Sequence, residues 1–174
     1  MSNVEFIDLL TGVNDISSAE EGKTLTFLEV PTRSYDGISF NIGVPADVNT
    51  TEPASYDASS PLSNNGEYWV GWTSYIFHKI EGKMDGAGDG TFADGLALHI
   101  GSDQAFRSFN INANIDINDE NESIKLQFDL SDILNIDGTF FDFRETPQVH
   151  HLGVLPKVLP ILDNTDTGIS ISVE

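Results

Sequence analysis

The sequence contains no cysteine. That removes disulfides, thiolate nucleophiles, Fe–S clusters and thiolate zinc sites together. It leaves the redox compartment open, because an exported protein can also lack Cys. Basic residues are nearly as scarce. Eight Lys and Arg stand against 28 Asp and Glu, for a net charge of -20. The eight (Lys23, Arg33, Lys79, Lys83, Arg107, Lys125, Arg144 and Lys157) are scattered along the chain. They cannot build a basic patch, so a nucleic-acid backbone is excluded as a partner and an anionic membrane surface is disfavoured. No apolar run reaches the length of a membrane span. Met1-Ser2-Asn3-Val4 shows neither the charged nor the apolar region of a signal peptide, so the expectation is a cytosolic chain or one whose leader has been removed. Methionine is limited to Met1 and Met84, which argues against a sulfur-built copper(I) site. GxSxG, P-loop, GxGxxG and HExxH motifs are all missing, and the expected class is non-catalytic.

Against these absences stand 11 Phe, 4 Tyr and 2 Trp in 174 residues. That is too aromatic for a disordered chain and enough for one buried core, so residues 1–174 read as a single domain. The dominant pattern is period-two alternation. In residues 107–117, Arg107, Phe109, Ile111, Ala113, Ile115 and Ile117 share one face. In residues 124–130, Ile124, Leu126, Phe128 and Leu130 do the same, and Asn118-Asp119-Glu120-Asn121 between them suggests a hairpin. Residues 38–44 and 169–173 alternate as well. Weaker strands are expected at 4–10, 24–30, 68–80, 95–100 and 139–144. One-faced alternation means antiparallel sheets with one wet side. The expected fold is all-β, an antiparallel β-sandwich of immunoglobulin-like or similar kind, with one or two short helices and long loops. The helix candidates are 131–135, with Ser131 as N-cap, and 152–162, broken by Pro156 and Pro160. Residues 45–65 form a long loop, expected to pack over one end of the sheets through Pro53, Tyr56, Pro61 and Leu62.

Among polar residues the histidines carry most information. His78 shares parity with Val70, Trp72, Ile76 and Ile80, which suits a hydrogen-bonded core histidine. His99 lies on the parity of Gly95, Ala97 and Gly101, opposite Leu96, Leu98 and Ile100, so its imidazole has space around it. His150-His151 follow Pro147 in an irregular segment from which one ring could turn inward. Neutral imidazoles suit zinc, copper or nickel, but there is no HxH or HxxxH spacing. Trp69 and Trp72 have opposite parity within 68–80, so a regular strand would separate them. Asp85-Gly86-Ala87-Gly88-Asp89-Gly90 lacks the spacing and closing Glu of an EF-hand, and a plain turn without tight calcium is expected at residues 85–94.

Several short pieces then fall in a familiar order. Gly37-Ile38-Ser39-Phe40-Asn41-Ile42-Gly43-Val44-Pro45 precedes Asn49, Ser60-Pro61-Leu62 and Tyr68-Trp69. Tyr75-Ile76-Phe77, Ile80-Glu81-Gly82, Leu98-His99-Ile100-Gly101 and Asp163-Asn164 follow. From about Thr24 onward the chain resembles the MbnP-like copper-binding proteins, relatives of the methanobactin-associated MbnP. The resemblance implies an all-β domain, a periplasmic or extracellular location, copper binding, and, in some members, oxidation of a Trp to kynurenine by a partner di-haem enzyme. It assigns Trp69 to the first Trp of the aromatic motif, His99 to the His of the HxG strand, and His150 or His151 to a C-terminal His. Two features differ: Trp72 stands one place later than in the family's Trp-x-Trp, and the opening hairpin is missing or shortened before Asn3. The expected metal site is therefore His99, His150 and His151, with Trp69 and Trp72 as aromatic neighbours or modified residues. The residues themselves leave open a carbohydrate-binding module and a structural or adhesive surface domain. An exposed Trp platform would favour sugar, whereas a packed Trp beside His99 would favour metal.

Overall fold

The computed structural model describes residues 4–9, 15–118 and 123–173. It is an all-β protein of several small sheets with a few short helices, the first of which is α1 (Ile16–Glu21). A first sheet pairs β1 (Arg33–Ile42) with β5 (Arg107–Ile117), antiparallel. Their alternating apolar residues face one another, with Phe40 and Phe109 stacked at 5.1 Å. A second pairs β6 (Ile124–Phe128) with β10 (Ile169–Val173). Phe128 meets Phe40 edge-on at 6.2 Å and ties these two sheets together. The third and largest runs in the order β2 (Tyr68–Trp69), β3 (Ser74–Met84), β4 (Asp94–Gly101) and β9 (Gln148–Val149). A small ribbon of β7 (Asn135–Ile136) and β8 (Thr139–Phe140) completes the strands. The β4–β9 pair is parallel.

Several expectations need correcting. Residues 107–117 form a strand, and so do residues 124–128 of the expected 124–130, where Leu130 opens a helix instead; the two strands do not pair with each other, since β5 pairs with β1 and β6 with β10. Period-two alternation reports a strand's faces and is silent about its neighbours. The shared apolar face leads one to expect Ile111, Ile124, Leu126 and Phe128 to be buried, but the first three are half-buried and Phe128 is exposed. Residues 4–9 and 24–30 are exposed and irregular rather than strands, and Leu10 lies outside the described residues. Only Thr139–Phe140 of the 139–144 strand forms, because turns follow it. The 131–135 helix is α3 (Leu130–Leu134), and its N-cap is Asp129, not Ser131. The Asp129 carboxylate accepts from the backbone N–H groups of Ser131 and Asp132, which a serine at 131 could not do for its own helix start. The region 152–162 is a 3-10 turn, Leu155–Lys157, and α4 (Leu159–Asp163), each with a proline as its second residue, within the first turn that tolerates it.

The core lies beneath β4. Leu98, Ile100, Val149, Leu155 and Val158 are all fully buried there, joined by Ile161, Leu162 and Trp72. Full burial of each aliphatic side chain stabilises by about 1.5–3 kcal/mol. The long loop packs as expected. It contains α2 (Ala46–Asn49) and three 3-10 turns, and Leu62 joins Val44 and Tyr75 in a second cluster flanked by Tyr56 and Phe77. Asn49 anchors it. Its buried amide accepts from Tyr75 N–H at 2.9 Å and Ser74 Oγ at 3.0 Å, and donates to Asp103 Oδ1 at 2.8 Å. Near the C-terminus, Asp163 pairs with Arg107 at 2.5 Å, and Asn164 Nδ2 donates to the carbonyls of Asp132 and Ile133 at the end of α3.

Replacing Asn49 by Ala leaves the buried Tyr75 backbone N–H without its acceptor, while the Ser74 hydroxyl keeps the Tyr75 carbonyl at 2.9 Å. Such an orphan costs about 1–3 kcal/mol. Asn49→Ala is expected to lower the unfolding free energy by about 1–3 kcal/mol in urea titration, with the transition still cooperative.

Candidate metal centre

Residues 68–80 are not one strand. Val70–Thr73 make a turn, with Trp72 N–H donating to Trp69 O at 3.0 Å and Thr73 N–H to Val70 O at 3.2 Å. The chain reverses there, so Tyr68 pairs with Tyr75 and Trp69 with Ser74. This reversal cancels the opposite parity of the two tryptophans and brings their rings to 6.1 Å. Gly71 stands in the turn against the Trp69 indole, where an added Cβ would lie 3.2 Å from Nε1.

The parallel pairing of β9 with β4 completes the arrangement. Ala97 is matched with Gln148 and Leu98 with Val149, and Ala97 N–H donates to Pro147 O at 2.9 Å. One residue further along both chains stand His99 and His150. In parallel strands matched residues project to the same side. Leu98 and Val149 therefore enter the core together, and His99 and His150 leave it together, their ring centroids 4.9 Å apart. Trp69 stacks on His150 at 5.4 Å with a 15° interplanar angle and meets His99 edge-on at 5.4 Å. Trp72 Nε1–H donates to the His150 backbone carbonyl at 3.2 Å and pins the strand from which the ring projects.

Two ring nitrogens in this cluster are enclosed and without a hydrogen-bond partner: Nδ1 of His99 and Nε2 of His150. The other nitrogen of His99, Nε2, lies 2.7 Å from Glu81 Oε1. This hydrogen bond holds the Glu81 carboxyl below the usual carboxylate range, aided by the Lys79 ammonium. Glu81 did not stand out in the sequence as a site residue. The pairing of Glu81 with Ala97 across β3 and β4 sets it diagonally next to His99, a relation visible only once the register is known.

His151 is exposed and makes no ring contact with this cluster, so the structure brings together His99, His150, Trp69 and Trp72 and leaves His151 outside. Trp72 is buried and Trp69 is half-buried against the core, so neither offers a flat exposed platform. Among the described residues no three His, Cys, Asp or Glu side chains form a group able to hold a metal ion. The pair of orphaned imidazole nitrogens nevertheless suits a metal that takes part of its coordination from solvent. At residues 85–90, the Asp85 carboxylate accepts from the N–H groups of Gly88, Asp89 and Gly90, so it closes its own loop.

The MbnP family model matches residues 4–151. The chain belongs to the MbnP family. Neither a curated protein nor a solved structure matches it. Membership links the chain to a methanobactin-associated family. The match starts well before Thr24, where the motif resemblance begins, and closes on His151, so it contains all the clustered rings. Among the described residues no helix is long and apolar enough to cross a membrane.

His78 is distinct from this cluster. Its Nε2 is enclosed without a partner, and burial, with a smaller contribution from Arg107, pushes its pKa down to about 4. The unfolded chain takes up a proton near the ordinary value of about 6.5, whereas the folded chain does not. Stability is therefore complete above about pH 6.5, falls as the pH drops from there to about 4, and levels off below. The total loss is about 3 kcal/mol. His78→Phe is expected to reduce the drop in unfolding free energy between pH 7.5 and 4.5, and an unchanged drop would assign that acid sensitivity to other groups.

Proposed function

We propose that this protein is an exported, non-catalytic copper-binding protein whose ion sits between His99 Nδ1 and His150 Nε2, beside Trp69. One observation carries the reading: two neighbouring imidazoles each enclose a nitrogen that has no hydrogen-bond partner. An orphaned buried polar group costs about 1–3 kcal/mol, and a bound ion would remove that cost at both rings. Imidazole nitrogens bind zinc-like ions at about 2.0–2.1 Å, so two that share an ion stand no more than about 4 Å apart, which neighbouring rings can satisfy. Water or another small donor would complete the coordination. Copper is favoured over zinc by membership of a methanobactin-associated family and by imidazole's preference for copper in the divalent series. A periplasmic or extracellular location and a di-haem partner enzyme come from the family resemblance alone. In that reading Trp69, in contact with both imidazoles, is the residue such an enzyme would oxidise to kynurenine.

Titration with copper(II), followed by tryptophan fluorescence and by EPR, tests the site. The expected stoichiometry is one ion per chain. His99→Ala and His150→Ala are each expected to weaken binding at least about 100-fold, and His151→Ala to leave it unchanged. Equal affinity in the His99 and His150 variants would remove the proposal. Intact-mass measurement of the protein from its native source tests the modification of Trp69.

A further inference from the structure

The contact between Glu81 and His99 bears on which nitrogen His99 can offer. A neutral imidazole carries one N–H and one lone pair, and an ionised carboxylate is an acceptor only. With Glu81 Oε1 2.7 Å from Nε2, the proton must be on Nε2 and the lone pair on Nδ1. Nδ1 is the enclosed, unpartnered atom of a ring whose centroid lies 4.9 Å from that of His150 and 5.4 Å from that of Trp69. We propose that Glu81 is the positioning residue of this site, holding His99 in the Nε2–H form so that its Nδ1 lone pair is the one presented beside His150. The inference rests on the copper reading above for its purpose, though the proton placement can be measured without metal.

The surroundings fit this role. Glu81 and His99 are on adjacent antiparallel strands, with Glu81 matched to Ala97 and His99 to Lys79. The carboxylate thus comes from rigid sheet rather than from a loop. Its side chain is 53% exposed while that of His99 is 12% exposed, so Glu81 stands at the solvent edge and His99 inside it. Lys79 is matched across the strands to His99 itself, yet its ammonium pairs with Glu67 at 3.3 Å, which leaves the His99 ring to Glu81. His150 is fixed in another way, by the Trp69 stack and by the Trp72 hydrogen bond to its backbone. Each imidazole therefore has its own orienting device. Carboxylate partners of this kind set ring orientation and raise the donor strength of a ligating histidine.

The test compares wild type with Glu81→Ala and Glu81→Gln, first without metal. Long-range ¹⁵N–¹H NMR reads which ring nitrogen of His99 is protonated. Wild type is expected to show a single Nε2–H form with a slowly exchanging ring proton. Glu81→Ala is expected to lose that proton's protection. Glu81→Gln, which keeps an acceptor oxygen, is expected to restore it in part. Copper(II) is then titrated in. Glu81→Ala is expected to lower affinity about 10–100-fold and to alter the EPR spectrum without changing stoichiometry, with Glu81→Gln in between. Zinc(II), as a diamagnetic probe, should then shift Nδ1 and leave the Nε2 proton in place. If His99 keeps the same protected Nε2–H in Glu81→Ala, the proposal is overturned whatever copper does. Loss of the Nε2 proton on zinc addition, with stoichiometry lost in Glu81→Ala, would make Glu81 a ligand and also overturn it. A wild-type chain with the expected apo spectrum and no copper binding would instead refute the copper reading, with the Glu81–His99 placement upheld.

Discussion

The short parallel pairing of β9 with β4 settles where His150 lies, and with it the whole cluster. Only two matched pairs and one extra hydrogen bond, from Ala97 N–H to Pro147 O, define the register. A slip of one residue would turn Val149 out to solvent and drive His150 into the core, because side chains alternate sides along a strand. Such a slip is opposed by the apolar packing. Leu98 and Val149 are both fully buried, and Leu155, Val158, Ile161 and Leu162 close over them from the segment that follows. The hydrophobic residues around the 149–162 stretch thus hold two polar rings on the opposite face in fixed relation. Core and site are two sides of the same register.

The turn at Val70–Thr73 adds the aromatic wall. Thr73 has φ of 50°, an uncommon conformation for a β-branched residue, and Ser102, whose N–H donates to Ser74 Oγ, has φ of 70°. Both lie where Asn49 and Ser74 gather hydrogen bonds from the long loop and from β3. The packing of residues 45–65 therefore supports the turn that turns Trp69 toward the histidines. In this way the loop that precedes Trp69 in the sequence bears on the site. Gly101 belongs to the same support, since a Cβ there would collide with the Tyr75 carbonyl.

Alternation made the strands legible because the period of two depends on burial of one face and not on which strand lies alongside. Partner choice was illegible for the same reason, so β5 and β6 read as a hairpin when each has another neighbour. Leu25 and Phe27 alternate with Thr24 and Thr26, yet 24–30 is irregular: pattern alone cannot supply a sheet edge. At the site, the small residues flanking His99 marked it as a projecting ring. The choice of His150 over His151 was out of reach, because a strand of two residues leaves no periodic trace. Parity alone separates Trp69 and Trp72, and the turn between them brings their rings together. Most of the family-like pieces prove to be scaffold: Asn49 anchors a loop, Asn164 closes α3, and Gly43, with φ of 95°, packs against the Phe77 ring. Glu81 and His99 are the pieces whose side chains meet at the site.

Charge complements this geometry but cannot choose the ion. A net charge of -20 concentrates every cation near the surface, calcium and magnesium as much as copper. Hard cations seek several oxygens, and the carboxylate of Asp85 already serves its own loop's N–H groups. On the copper reading proposed above, discrimination comes from donor type, and the two nitrogens enclosed beside Trp69 are donors that hard cations bind poorly. Enclosure also limits approach. His99 is largely covered, whereas Glu81 beside it is half-exposed, so the carboxylate marks the wet side of the ring pair. An arriving cation would meet Glu81 first and gain from its charge. The same carboxylate, by accepting the Nε2 proton, leaves the nitrogen lone pair on the inner side of the ring.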